Sequence, residues 1–158
     1  MSLLPFFEWC EATAIGEAIR GSLWLFPVIE AVHLLALALI GGAVLIVDLR
    51  LLGLGLRRQS VAQIARDAHP WLVGSLATML ATGILLFLSE SIKCYYSPPF
   101  WYKMSFLLVA ASFALTVRRK VTAADESRVG PLLGKLVGLV SLGLWFGVGF
   151  SGRWIAFY

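Results

Sequence analysis

Charge is scarce in this chain: Asp, Glu, Lys and Arg make up 14% of its 158 residues, and there are only two histidines, two cysteines and three methionines. The single Glu30-x-x-His33 pair falls short of a di-iron bundle site, which takes two such motifs and two further carboxylates. No nucleophile elbow, phosphate-binding glycine loop, zinc-protease motif or C-x-x-C-H haem-attachment site occurs. These absences exclude the usual hydrolase and ATPase machinery, and the expectation is no autonomous enzymatic activity. Internal repeats and low-complexity tracts are missing as well. The start of the chain lacks a basic region and carries Glu8, Glu11 and Glu17 before the first apolar run, which does not fit a cleavable signal peptide.

Apolar residues are abundant instead, at 59% of the chain with a mean hydropathy of +0.86. A water-soluble domain of this size could not cover that much apolar surface, whereas a bilayer core of roughly 30 Å asks for about 20 consecutive apolar residues per helix. The expectation is one all-α transmembrane domain over residues 1–158, an up-and-down four-helix bundle with spans at about 22–50, 62–92, 99–119 and 131–152. Each run is about twice the length of a barrel strand, and in lipid only helices or closed barrels satisfy the backbone, so helices follow. Residues 3–19 read as an N-terminal amphipathic surface helix, with Pro5 in its first turn and Phe6, Phe7, Trp9, Cys10 and Ala14 on its apolar face. Tyr95, Tyr96, Trp101 and Tyr102 suit an interfacial aromatic belt, and Ser60 suits the cap of the second span.

One face of such a bundle collects Arg50, Arg57, Arg58, Arg66, Arg118, Arg119, Lys120, Arg128 and Lys135, nine basic residues against Arg20, Lys93, Lys103 and Arg153 on the other. The positive-inside rule makes the nine-charge face cytoplasmic and puts both termini on the periplasmic side of a bacterial inner membrane. The net charge of +4 is thereby accounted for by topology, without nucleic acid as a partner. The bilayer is the expected partner, with a homo-oligomer or a larger membrane complex beside it. The pairs Gly134/Gly138 and Gly143/Gly147 offer close helix packing within the bundle or between subunits.

Glu30 and His33, three apart and so on one helix face, fall near mid-membrane, where ionisable groups are costly and mark functional sites by default. Pro27, one turn earlier, could kink the helix and open a pocket. The readings open for the Glu30/His33 pair are an axial haem ligand, a copper or other metal site, a proton relay, or a plain structural hydrogen bond with Glu30 protonated or paired to Lys103. Glu90, Lys93 and Lys103 form a supporting polar cluster at the outer half, the entrance to that site or a set of salt links fixing helix order. His69 reads as an interfacial cap at a different depth from His33, so the two cannot clamp one haem. Asp48 and Arg50 read as a cytoplasmic anchor. Cys10 and Cys94 share the outer side; a disulfide, copper ligation and two buried thiols all remain open.

The stretch Ser22-Leu-Trp-Leu-Phe-Pro-Val-Ile-Glu-Ala-Val-His-Leu-Leu, continuing to Gly41-Gly42 and Val47-Asp-Leu-Arg-Leu-Leu-Gly53, resembles a family of small bacterial four-helix membrane proteins of unknown function. The likeness continues through His69-Pro-Trp71, Thr82-Gly-Ile-Leu-Leu-Phe-Leu-Ser-Glu90 and Lys103. More distantly, His33 followed by Gly41-Gly42 resembles the membrane part of copper-resistance D-type proteins and b-type-cytochrome-like bundles. That second resemblance implies a redox- or metal-related subunit holding haem b or copper at His33 and Glu30, the leading expectation; the alternatives are a structural anchor or assembly subunit of a membrane complex and a small proton- or ion-coupled transporter. Haem-bearing members carry more helix histidines than the two present here.

Overall fold

The computed structural model describes residues 3–55, 58–124 and 130–157. Two short helices, α1 (Leu4–Glu11) and α2 (Ala14–Gly21), precede the long α3 (Leu25–Leu51) and α4 (Val61–Ser89). A short α5 (Ser91–Tyr96) leads into α6 (Pro98–Phe113), which passes through a π-helical turn at Ala114–Arg118 into α7 (Arg119–Ala123), and α8 (Pro131–Ile155) closes the chain. The four long helical stretches, Leu25–Leu51, Val61–Ser89, Pro98–Ala123 and Pro131–Ile155, are long and apolar enough to cross a membrane. Their outward faces are apolar, with Leu35, Leu108, Leu139 and Phe146 each more than half exposed. Such a surface is stable only against lipid tails. Leu56, Arg57 and residues 125–129, Arg128 included, lie outside the described residues, as do residues 1, 2 and 158.

Several ends differ from the sequence reading for local reasons. The expected single helix over 3–19 is two helices, because Thr13 takes an extended backbone and its Oγ1 accepts from the Gly16 N–H at 3.2 Å, capping a new start. Rather than standing apart on a surface, the pair packs on the bundle: α1 against α5, α2 against α4, with Phe7, Cys10 and Ile19 buried. Pro27 does not kink a span. Ser22 Oγ accepts from the Leu25 N–H at 3.2 Å, α3 begins there, and Pro27 falls in the first turn, where its missing N–H has no partner to lose. Gly53, at φ 76°, ends α3 in the left-handed conformation, and the Leu54 N–H returns to the Leu49 carbonyl at 2.9 Å. Ser60 caps α4 through the Gln63 N–H at 3.2 Å, as expected. The connection left between the expected second and third spans is taken up by the end of α5, Ser97 and the start of α6.

The long helices pack in the order α4, α3, α8, α6. Gly138 lets α8 lie on the C-terminal half of α3, since a Cβ there would stand 3.1 Å from the Asp48 carbonyl oxygen. The Gly134/Gly138 pair is thus used inside the bundle. Gly147 performs the same service for α6, where an added Cβ would overlap the Phe106 ring. The backbones of α4 and α6, the two ends of this series, stand further apart, with Phe87 stacked on Phe100 between them. All four meet in one core of Ala36, Ile40, Val44, Met79, Ala110, Trp145 and Val148.

Asp48 corrects the anchor reading. It is wholly buried and accepts at Oδ1 from Arg118 Nε at 2.9 Å, while Arg118 Nη2 donates to the Val44 carbonyl at 3.4 Å. Arg118, counted by sequence among the surface cations, is only 7% exposed. The π turn adds a residue to the helix just there and turns Arg118 inward. Arg50 instead donates from Nε to the Gln59 carbonyl at 2.8 Å.

Candidate functional site

Eight residues of helix, about 12 Å, separate the start of α3 from His33. The imidazole is 7% exposed and lies flat against α4, which Gly83 permits: a Cβ at that position would stand 3.3 Å from His33 Cε1. Next to it, Thr82 Oγ1 donates to the Thr78 carbonyl at 2.7 Å. The threonine hydroxyl has one proton, already spent, so the 2.9 Å contact with His33 Nδ1 requires the imidazole to donate from Nδ1. Nε2 then carries the lone pair. It receives the Lys103 ammonium of α6 at 3.2 Å. Lys103 reaches this point over Gly152 of α8, whose absent side chain leaves 3.5 Å between a notional Cβ and Nζ.

The result is a neutral, tautomerically fixed imidazole bonded to a cation within the membrane-spanning part of the chain. Among the described residues no carboxylate lies within ion-pairing distance of Lys103. Glu30 lines the same space but is exposed, and does not pair with Lys103 as one sequence reading had it.

A cavity of about 360 Å³ has this pair at its base and opens toward the end of the bundle that holds the chain termini. Glu30, His33, Glu90, Lys93 and Lys103, singled out by sequence, all line it, together with Cys94 and Arg153. Lys93 pairs with Glu90 at 3.8 Å across a half-exposed surface, a contact of little energetic weight. His69 is exposed on α4 and takes no part. Thr82, Gly83, Gly152 and Arg153 were not among the site residues expected from the sequence. Small and hydroxylated residues on transmembrane helices are common as packing, and only their placement around His33 and Lys103 distinguishes them.

The family-model comparison matches a family of unknown function (DUF6644) over residues 6–158, nearly the whole chain. The chain belongs to the DUF6644 family. No curated protein and no solved structure matches it. The DUF6644 family is described by no activity, so chemistry must be argued from the side chains.

The donor set does not fit a copper centre. No group of three or more His, Cys, Asp or Glu residues able to hold a metal ion occurs among the described residues, and a cation on Nε2 would face the Lys103 ammonium. Haem on the same nitrogen would first require Lys103 to leave.

Cys10 and Cys94 stand as free thiols, on α1 and α5, which pack together. Burial, and then the nearby Glu90 carboxylate, push the Cys94 thiol up to about 11. A raised thiol pKa means that only about one Cys94 in a thousand is thiolate at pH 8. Its alkylation by iodoacetamide is expected to be slow there and to rise about tenfold per pH unit up to pH 10. A rate that levels off below pH 9 would contradict this environment.

Proposed function

We propose that this DUF6644 protein is a membrane-embedded binding subunit for a small anionic ligand, a carboxylate in the simplest case, held by Lys103 beside His33. The carrying observation is Lys103 itself: a cation drawn into the bundle, with a neutral imidazole and no carboxylate at its nitrogen. Charges inside a membrane bundle are rarely left without a counterion, and an anion entering the 360 Å³ cavity would supply one. The packed layer of Ile40, Met79, Ala110 and Val148 beyond His33 favours binding over conduction. We place the cavity mouth and both termini on the periplasmic side of a bacterial inner membrane, on the nine-to-four excess of Lys and Arg toward the other face.

The two histidines make the test direct. In protein labelled with ¹⁵N in its imidazoles, adding acetate is expected to shift the His33 Nε2 resonance saturably and leave His69 unmoved. Lys103→Gln should abolish the shift. A His33 signal indifferent to acetate, or equally responsive in Lys103→Gln, would leave a fixed hydrogen-bond set that serves only to assemble the bundle.

A second reading, a haem b subunit, draws on the His33 tautomer. An Nδ1–H held by Thr82 leaves Nε2 oriented as in ligating imidazoles. Oxidised and dithionite-reduced absorption spectra of the purified protein decide it: a Soret band that shifts on reduction supports haem, and a featureless spectrum retires it.

A further inference from the structure

His33 and Lys103 also line a second, adjoining space, which shares Gly83, Phe87 and Phe100 with the first. Between α4 and α6 runs a cleft of about 390 Å³ lined by Met79, Leu80, Gly83, Ile84, Met104 and Leu107, with Phe7 of α1 and Trp101 beside it. The two end helices of the packing series stand apart here, bridged by Phe87 of α4 stacked on Phe100 of α6, and beside the cleft Leu80, Ile84 and Met104 are about half exposed on the apolar belt. Apart from the His33–Lys103 pair and backbone, its walls are apolar.

The same pair of side chains thus borders two adjoining spaces. The first sets the charged groups Glu30, Glu90, Lys93 and Arg153 among apolar walls; the second, apart from the pair, is apolar. We infer that the ligand of Lys103 is a single-chain amphiphile with an anionic head, a fatty acid in chemical class, whose carboxylate pairs with Lys103 while its chain lies in the α4/α6 cleft. The inference rests on the anion-binding reading above and adds the chain and the route. A carboxylate drawn against Lys103 completes the missing ion pair, with His33 keeping its Nδ1 bond to Thr82. The chain exchanges one apolar surrounding for another, so entry from the bilayer requires no desolvation of the tail. Gly83 is the narrow point: a side chain there would press on His33 and narrow the passage.

The probe is a palmitate analogue carrying a diazirine near its methyl end, irradiated with the full-length protein in discs of neutral lipid and mapped by mass spectrometry. Labelling is expected within 79–84 and 104–107, to be displaced by palmitate far better than by acetate, and to fall at least about thirtyfold in Lys103→Gln. Met104→Trp, at a half-exposed position on the helix face, should suppress the same labels by filling the cleft. Label that depends on Lys103 but falls on Phe26, Leu34 or Ile155 would overturn the cleft and leave the anion site standing. Label spread over the belt, unchanged in both variants, would overturn the amphiphile; the acetate response of His33 then decides the anion site by itself.

Discussion

Replacing Arg118 with alanine is expected to destabilise the bundle by about 3–5 kcal/mol, because it strands the Asp48 carboxylate in a fully buried position. Asp48 has no second chance of solvation. Its Oδ2 already lacks a hydrogen-bond partner, as does the buried Ser141 hydroxyl on α8 that interacts with it, so Arg118 is the principal group holding the charge. Asp48→Ala should be similarly costly, leaving the guanidinium with only the Val44 carbonyl. The double variant Asp48→Leu/Arg118→Met is expected to regain most of the loss, since a buried pair replaced by well-packed apolar residues is often neutral. Denaturation in mixed micelles, followed by circular dichroism, measures all three. Single variants as stable as the parent would mean that the pair is solvated and the π turn has another purpose.

Gly16→Val is expected to be the most disruptive change at the terminal end of the bundle. A Cβ on Gly16 would overlap the Leu88 carbonyl oxygen, and both partners there are backbone, so no side chain can swing aside. Overpacking of this kind costs about 1–3 kcal/mol when flexible side chains can yield, and more is expected here. The consequence should be local before it is global. α2 would lift from α4, loosening Arg20 from the Ser89 carbonyl at 2.8 Å and the Glu11 carboxylate from the Ile92 N–H at 2.6 Å. Phe7, which packs edge-on against Phe87 and Tyr95, would leave the wall of the lateral cleft with it. Hydrogen exchange is the appropriate measurement: α1, α2 and α5 should lose protection while α3 and α8 keep theirs. Uniform protection in Gly16→Val would show that α2 can ride further from α4 without consequence.

Membership of the bundle class was legible because it depends on composition summed over long windows. Runs of about 20 residues without charge have one solution in lipid, and no single misread residue changes it. Helix ends were less legible: Pro27 looks like a kink until the Ser22 hydroxyl takes the Leu25 N–H and α3 starts only two residues before the proline, and Thr13 looks like part of a helix until it caps the next one. Such ends are set by individual hydrogen bonds that compete within a residue or two.

The polar residues divide in the same manner. That Glu30, His33 and Lys103 required explanation followed from the cost of polar groups in hydrocarbon, a property of residue type and position along the chain. Which of them touch did not. Glu30 and His33 share a helix face, yet His33 finds Thr82 and Lys103 across the bundle while Glu30 stays exposed. Likewise Asp48 and Arg118 are 70 residues apart, and a π turn that no pattern announces brings them together.

By itself the sequence determined a multi-pass helical membrane protein, its family and a short set of residues too polar for their surroundings, because hydrophobicity and charge act locally and additively. Only the tertiary structure decided the pairing of Lys103 with His33, the burial of Arg118 and the open seam between α4 and α6. Each depends on which helices are neighbours and at what rotation. Those choices are made by close contacts at Gly138, Gly147 and Gly152, where the absence of a side chain, rather than its chemistry, sets the distance between helices.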